Sequence, residues 1–88
     1  MNPRQSLEQL LKSNTRWPMD YMFKFIVPAH MEKIARVEAL FSEWAKIHRK
    51  ESGKGNYISI TAHQSMDSAE EILKIYHKAS EIEGIMAL

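Results

Sequence analysis

Two groups of residues in this sequence could carry chemistry: a lysine between two glycines, and the histidines. The stretch Gly53-Lys54-Gly55-Asn56 could cradle a phosphate with backbone N–H groups and a lysine. A P-loop needs wider spacing and a helix after the glycines, whereas the alternation of a strand follows here. Glycine and asparagine also accept the positive φ of tight hairpins. The stretch therefore predicts a turn between two antiparallel strands.

The histidines are scattered along the chain, at His30, His48, His63 and His77. None has further ligands at a recognised metal spacing, so we expect no metal and no cofactor. His63 is the most interesting of them because it shares the polar side of a strand with Thr61. A surface histidine is still the commoner interpretation of such a position. The chain contains no cysteine, which excludes disulfides and thiolate chemistry.

The composition is that of one soluble domain. Hydrophobic residues make up 44% of the 88 positions and charged residues 26%, which is ordinary for a globular protein with one modest core. The sequence lacks an apolar run of the roughly 18 residues that span a membrane, and its N-terminus does not resemble a signal peptide. We therefore expect a cytoplasmic location and no membrane partner.

Charge is spread unevenly along the chain. Residues 1–64 hold ten Lys and Arg against six Asp and Glu, whereas residues 65–88 hold two against five. The first part is therefore basic and the last part acidic, although the net charge is only +1. Such an asymmetry could favour head-to-tail contacts, but it is far from the strongly basic balance of a typical nucleic-acid-binding protein.

Alternating side chains predict two long strands, near 20–27 and from Tyr57 onward. One side of each strand is assigned to the core: Tyr21, Phe23, Phe25 and Val27 in the first, and Ile58, Ile60 and Ala62 in the second. The other side is assigned to an open face: Met22, Lys24 and Ile26 in the first, and Tyr57, Ser59, Thr61 and His63 in the second. A short polar strand is expected at 46–51 and a short apolar strand at 85–88.

Apolar residues at three- and four-residue steps predict two helices. The first is expected from His30 to about Trp44, with Met31, Ile34, Val37, Leu40, Phe41 and Trp44 in the core. The second is expected to start at an N-cap on Ser65 and to end near Ser80. Its core side is predicted to hold Met66, Ala69, Ile72, Leu73, Tyr76, Ala79 and Ile82. Residues 1–16 are interpreted as an N-terminal extension with a short helix.

The order strand, helix, strand, strand, helix, strand is typical of the ferredoxin-like βαββαβ sandwich, an α+β fold. Right-handed crossovers place both helices on one face of a four-stranded antiparallel sheet with strand order 4-1-3-2. The sequence thus predicts this domain over residues 17–88, with the other face of the sheet left open.

The chain resembles the YbeD family of small bacterial proteins. The resemblance is carried by residues 18–27 around Lys24, by Lys54-Gly55-Asn56-Tyr57 with the strand that follows, by Tyr76, and by Ile85-Met86-Ala87-Leu88. It covers roughly residues 7–88. It implies an ACT-like, ferredoxin-like fold and no established function. It also implies kinship with regulatory domains that bind small molecules or pair with other chains, and it supplies no catalytic residues.

The sequence predicts that the chain is not an enzyme. Ser59 and Thr61 have no activating partner visible in the sequence. Acylphosphatase chemistry on this architecture would need a phosphate-binding arginine after the first strand, where the chain has Val27-Pro28-Ala29-His30. We therefore expect a non-catalytic regulatory or protein-interaction module that binds another protein or a second copy of itself. A small-molecule ligand is a further candidate partner.

Weak binding of single-stranded RNA on the open face is the alternative hypothesis. Lys54-Gly55 resembles the start of an RNA-binding motif, and the region around Lys46, Arg49 and Lys50 is locally basic. Asn56 and Ile58 stand where that motif has aromatic residues, so Tyr57 would be a single stacking platform. A nucleic-acid partner is therefore the less favoured prediction.

Overall fold

A computed structural model describes residues 16–88 together with the single helical position 9. Apart from positions 9 and 16, the predicted N-terminal extension and its helix lie outside the described residues. The domain that follows has six elements, and we label them in chain order. They are β1 (Met19–Pro28), α1 (Met31–Glu38), β2 (Lys46–Glu51), β3 (Tyr57–Met66), α2 (Ala69–Ala79) and β4 (Met86–Ala87).

The sheet has four antiparallel strands in the order β2-β3-β1-β4. With both helices packed on one face, this arrangement confirms the predicted ferredoxin-like α+β fold and its strand order. The core side of β1 and β3 is also as predicted, since Phe23, Phe25, Val27, Ile60 and Ala62 are buried almost completely. Val37 from α1 and Ile72 from α2 close the same core from the helical side.

An aromatic cluster forms the centre of this core. The ring of Phe23 lies 4.7 Å from Tyr21, 5.2 Å from Phe41 and 5.4 Å from Tyr76, measured between ring centroids. These separations are typical of tilted and edge-on aromatic packing. Phe23 therefore contacts both the turn after α1 and α2, and Phe25 contacts the same two rings at slightly longer distances.

The prediction that the first helix reaches Trp44 is wrong. After Glu38 the backbone tightens into turns, in which Leu40 N donates to Val37 O and Phe41 N donates to Glu38 O. Phe41 still reaches the core, but Trp44 is 84% exposed and Met31, at the first helical position, is 88% exposed. Helical spacing assigns a face only while the backbone stays helical, so it misplaced Trp44.

The prediction of Ser65 as the N-cap of the second helix is also wrong. β3 continues through Met66, with Ser65 opposite Asp20 of β1, and the cap is Ser68, whose hydroxyl accepts a hydrogen bond from Glu71 N at 3.1 Å. Ile75 is buried in the centre of α2, three residues after Ile72 and on the same face of the helix; the predicted stripe omitted this position. Gly84, at φ +83°, then turns the chain into β4.

Candidate functional site

The open face of the sheet brings together the side chains that the sequence assigned to it. Met22 lies opposite His63, Lys24 opposite Thr61, and Ile26 opposite Ser59. Directly opposed side chains on one face of an antiparallel pair lie close enough to interact. The alternation in β1 and β3 therefore assembles one continuous surface, with Tyr57 at its end opposite Pro28.

β2 adds a cationic row that the sequence analysis did not place on this face. Lys46 lies opposite His63, His48 opposite Thr61, and Lys50 opposite Ser59, so their side chains share the open face. All three are exposed. The sequence shows which side chains of β2 share a face. It does not show how β2 pairs with β3, because that register depends on the length of the connecting turn.

β4 adds apolar side chains at the opposite edge. Met86 lies opposite Ile26, and Leu88 N donates to Lys24 O at 2.9 Å, which continues the pairing beyond β4. Met22 and Met86 are each 53% exposed and Leu88 is 66% exposed. Apart from Lys24 and Asp20 on β1, the open face therefore has an apolar half on β1 and β4 and a cationic half on β2, with the polar side chains of β3 between them.

Arg49 lies on the other side of β2 and does not contribute to this cationic row. Its guanidinium donates two hydrogen bonds to Glu38, from Nε to Oε2 at 2.5 Å and from Nη2 to Oε1 at 2.7 Å. A bidentate pair of this kind is geometrically specific. It connects the edge strand β2 to the end of α1. Arg49 therefore does not belong to the basic surface on which the RNA hypothesis depends.

The Arg49 pair predicts a pH-dependent contribution to stability. Hydrogen bonds from Arg49 hold the pKa of Glu38 below its ordinary value of 4.5. Because the folded-state pKa is the lower one, the stabilisation is complete above the unfolded-state pKa and is lost as the pH falls through the folded-state pKa. We expect Glu38→Gln to lower the melting temperature at pH 7 by no more than about 4 °C, and this difference to shrink below about pH 4.5.

Thermal unfolding followed by circular dichroism across pH would measure this difference. Glu43→Gln is the matched control, because Glu43 is exposed and makes no ion pair with the described residues. A Glu38→Gln difference that stays constant from pH 7 to pH 3 would contradict the assignment.

A hollow of about 680 Å³ lies at the end of the open face where β1 begins. It is lined by Asp20, Ser42, Trp44, Lys46, His48, His63, Gln64 and Ser65. Its volume is in the range of small-molecule sites. Sequence reasoning placed only His63 of these residues on the open face, because Trp44 was assigned to the core and the lining depends on the path of the turn before β2.

A second hollow, of about 380 Å³, lies at the other end of the open face. Its lining includes Lys24, Ile26, Lys50, Tyr57, Ser59 and Leu88. The predicted side chains Lys24, Ile26, Tyr57 and Ser59 thus meet here, joined by Lys50 from β2 and Leu88 after β4.

The glycine turn forms the connection between β2 and β3. Gly55 has φ +72°, and its N–H donates to Ser52 O at 3.0 Å. Asn56 O accepts a hydrogen bond from Ala29 N at 3.0 Å, which holds the turn against the end of β1. Because Gly55 N–H is engaged within the turn, it is not available to cradle a phosphate. The arrangement favours the hairpin interpretation.

Among the described residues, no three His, Asp or Glu side chains are grouped so that they could hold a metal ion. The remaining candidates for acid–base chemistry are the hydroxyl groups of Tyr21 and Tyr76. Tyr21 and Tyr76 share a hydrogen bond of 2.8 Å between their hydroxyls. Burial raises the pKa of Tyr76, and the hydrogen bond to Tyr21 raises it further. Tyr76 therefore stays protonated near neutral pH, which suits packing better than proton abstraction.

Comparison with known proteins gives a family and no closer relative. Within the described residues, no helix is long and apolar enough to cross a membrane. Neither a curated protein nor a solved structure matches the chain. Residues 12–88 match the model of a family described as a protein of unknown function (DUF493). Since this match spans most of the sequence, the chain belongs to that family, which is the YbeD family.

Proposed function

We propose that this chain is a non-catalytic, ACT-like regulatory module of the cytoplasm that binds another protein through the open face of its sheet. The segment it binds is acidic along one side and apolar along the other. The observation that carries this proposal is the division of the open face into an apolar half on β1 and β4 and a cationic half on β2. Partner surfaces with complementary charge associate faster and in a defined orientation.

The apolar half supplies the contact area. Met22, Met86 and Leu88 are each more than half exposed, and Met86 lies opposite Ile26. Exposed apolar patches mark interaction sites. Methionine side chains are flexible and adapt to varied apolar surfaces. An apolar row on the partner would therefore lie along β1 and β4.

The cationic half sets the orientation. Lys46 and Lys50 lie on the open face of β2, and Lys24 lies on β1 between Met22 and Ile26. Asp20 is the acidic side chain on the open face of β1. Four strands at about 4.8 Å spacing give a face roughly 14 Å wide, which suits one α-helix of about 10–12 Å diameter. An amphipathic helix with acidic residues along one side would match both halves.

Single-stranded RNA is the second candidate, and the exposure of Trp44 favours it. Trp44 and Tyr57 lie at opposite ends of the open face with lysines between them, and bases stack on exposed aromatic side chains. Eight residues along the sheet separate the two ends, or roughly 26 Å. Against this candidate, Met22, Ile26 and Met86 cover half of the face and offer no contact to phosphates.

Isothermal titration calorimetry with defined probes distinguishes the two candidates. The probes are a helical peptide with glutamates on one side and leucines on the other, the same peptide with glutamines for glutamates, and a U-rich RNA oligonucleotide. Two double variants disrupt the two halves of the face: Met22→Glu/Ile26→Glu and Lys46→Glu/Lys50→Glu. Lys74→Glu/Lys78→Glu, on the exposed side of α2, is the control with the same change in charge as the Lys46→Glu/Lys50→Glu variant.

We expect the acidic peptide to bind the wild type, and each face variant to weaken it by at least about tenfold. The control should change its affinity by less than about threefold. The glutamine peptide should bind more weakly than the acidic one. Tighter binding of RNA than of the acidic peptide, or equal peptide affinity in all variants, would overturn the proposal. A dimer in light scattering that Met22→Glu/Ile26→Glu dissociates would instead assign the face to a second copy.

A further inference from the structure

The hollow at the start of β1 has the features of a small-molecule site that is separate from the apolar half of the open face. Its lining combines one large aromatic side chain, Trp44, with the nitrogen-bearing side chains of Lys46, His48 and His63. Its volume of about 680 Å³ is large enough to accommodate a small organic molecule. The contacts that shape it are local to the turn at residues 42–45 and the ends of β1, β2 and β3.

The turn that carries Trp44 is held in place by hydrogen bonds. Ser42 N donates to Gln64 Oε1 at 2.7 Å, which ties the turn to β3. Trp44 N donates to Ser42 Oγ at 3.3 Å, and Ala45 N donates to Ser42 O at 3.1 Å. The backbone of Trp44 is therefore fixed while its indole is 84% exposed. A platform with a fixed backbone loses less conformational entropy when a ligand stacks on it.

The nitrogens in the hollow are available to a ligand. Lys46 lies directly opposite His63, and His48 follows Lys46 on the same side of β2. Within residues 16–88, the side chains of these three residues make no hydrogen bond or ion pair. They offer one amine and two imidazoles that can donate hydrogen bonds. The described residues form no metal-binding group, so the arrangement suits an anion better than a metal ion.

We propose that this hollow binds a small anion that carries a flat ring, such as an aromatic carboxylate or phosphate ester. The ring stacks on the indole of Trp44. The anionic group lies between Lys46 and His63, with His48 within reach at the next position of β2. Asp20, at the rim beside Ser65, repels the anion. Removing the acidic side chain of Asp20 should therefore strengthen binding of the anion.

Nuclear magnetic resonance titration of the full chain with phenyl phosphate and with benzoate tests the proposal. Inorganic phosphate and phenol are the comparison probes, since each lacks one of the two recognised groups. The chain has two tryptophans, so its proton–nitrogen spectrum contains two indole signals. The Trp44→Phe variant identifies one of them. Trp17 packs against the core and serves as an internal reference.

We expect phenyl phosphate or benzoate to shift the Trp44 indole signal and the backbone signals of Lys46 and His63, while the Trp17 indole signal stays in place. The probe that binds with the higher affinity indicates whether the natural ligand is a phosphate or a carboxylate. Phenol and inorganic phosphate should each bind at least about fivefold more weakly.

Variants assign the binding groups. Trp44→Ala and Lys46→Gln should each raise the dissociation constant by at least about fivefold, whereas Asp20→Asn should lower it by about two- to threefold. Lys78→Gln on α2 removes a lysine remote from the hollow and should leave the dissociation constant unchanged. Because Trp44, Lys46 and Asp20 are exposed, these variants should keep the fold, which the rest of the spectrum verifies.

Two results would overturn the proposal. One is the absence of any shift of the Trp44 signal at about 20 mM of either probe, which corresponds to an affinity too weak for a specific site. The other is a shift with equal affinity in wild type, Trp44→Ala and Lys46→Gln, which would indicate non-specific association. Although Lys46 takes part in both proposals, the outcome can be told apart from that of the peptide titration, because these probes lack the apolar row that Met22, Ile26 and Met86 would bind.

Discussion

Ile60→Asp is expected to leave the domain largely unfolded at neutral pH. Ile60 has no exposed surface and lies in β3 between Phe25 of β1 and Arg49 of β2. The guanidinium of Arg49 is already held by Glu38, so a carboxylate at position 60 would be buried without a partner. An unpaired buried charge costs more than about 4 kcal/mol, a large share of the roughly 5–15 kcal/mol that stabilises a domain.

Circular dichroism and a denaturant titration would measure this loss. The control is Tyr57→Ala, because Tyr57 lies in the same strand but is 45% exposed on the open face. It should lower the free energy of unfolding by no more than about 1 kcal/mol. If Ile60→Asp unfolded like the wild type while Tyr57→Ala unfolded the protein, the assignment of the two faces of the sheet would be inverted.

Phe23→Ala is expected to lower the free energy of unfolding by about 3–5 kcal/mol. Phe23 has no exposed surface, and its ring contacts Tyr21, Phe25, Phe41 and Tyr76. These neighbours come from β1, α2 and the turn after α1, and they cannot all move inward. Truncation therefore removes apolar contacts and leaves a cavity.

Urea titration at 25 °C gives the free energy, provided that the slope of the transition stays at its wild-type value. Met22→Ala is the control, because Met22 precedes Phe23 but is 53% exposed on the open face. We expect its change to stay within about 0.5–1 kcal/mol. Equal losses in the two variants would contradict the assignment of Phe23 to the centre of the core.

The sequence alone determined the faces of the two central strands. Side chains alternate across any extended backbone, so the spacing of Phe23, Phe25, Ile58 and Ile60 was enough to assign the core side. The same alternation assigned Met22, Lys24, Ile26 and His63 to the open face, where the structure has them. The fold then followed from the order of elements, because crossover handedness leaves few ways to arrange four strands and two helices.

The end of α1 and the start of α2 were decided by tertiary contacts. Apolar spacing continued past Glu38 as far as Trp44, but the backbone forms turns after Glu38, and Ser42 N donates to Gln64 Oε1 of β3. Similarly, Ser65 is a good N-cap by residue type, yet pairing with Asp20 keeps it in β3. Residue preferences are weaker than a sheet hydrogen-bond ladder together with core packing.

The residues of the candidate site also fall into those that the sequence could place and those that it could not. Met22, Lys24, Ile26 and His63 could be placed on one surface because each belongs to a strand whose local pattern is complete. Lys46, His48 and Trp44 could not, since their position depends on the register of β2 against β3 and on the hydrogen bond from Ser42 to Gln64. Local periodicity is a property of the backbone and is visible in the sequence. The register between strands and the paths of turns depend on contacts between distant residues, and only the tertiary structure decides them.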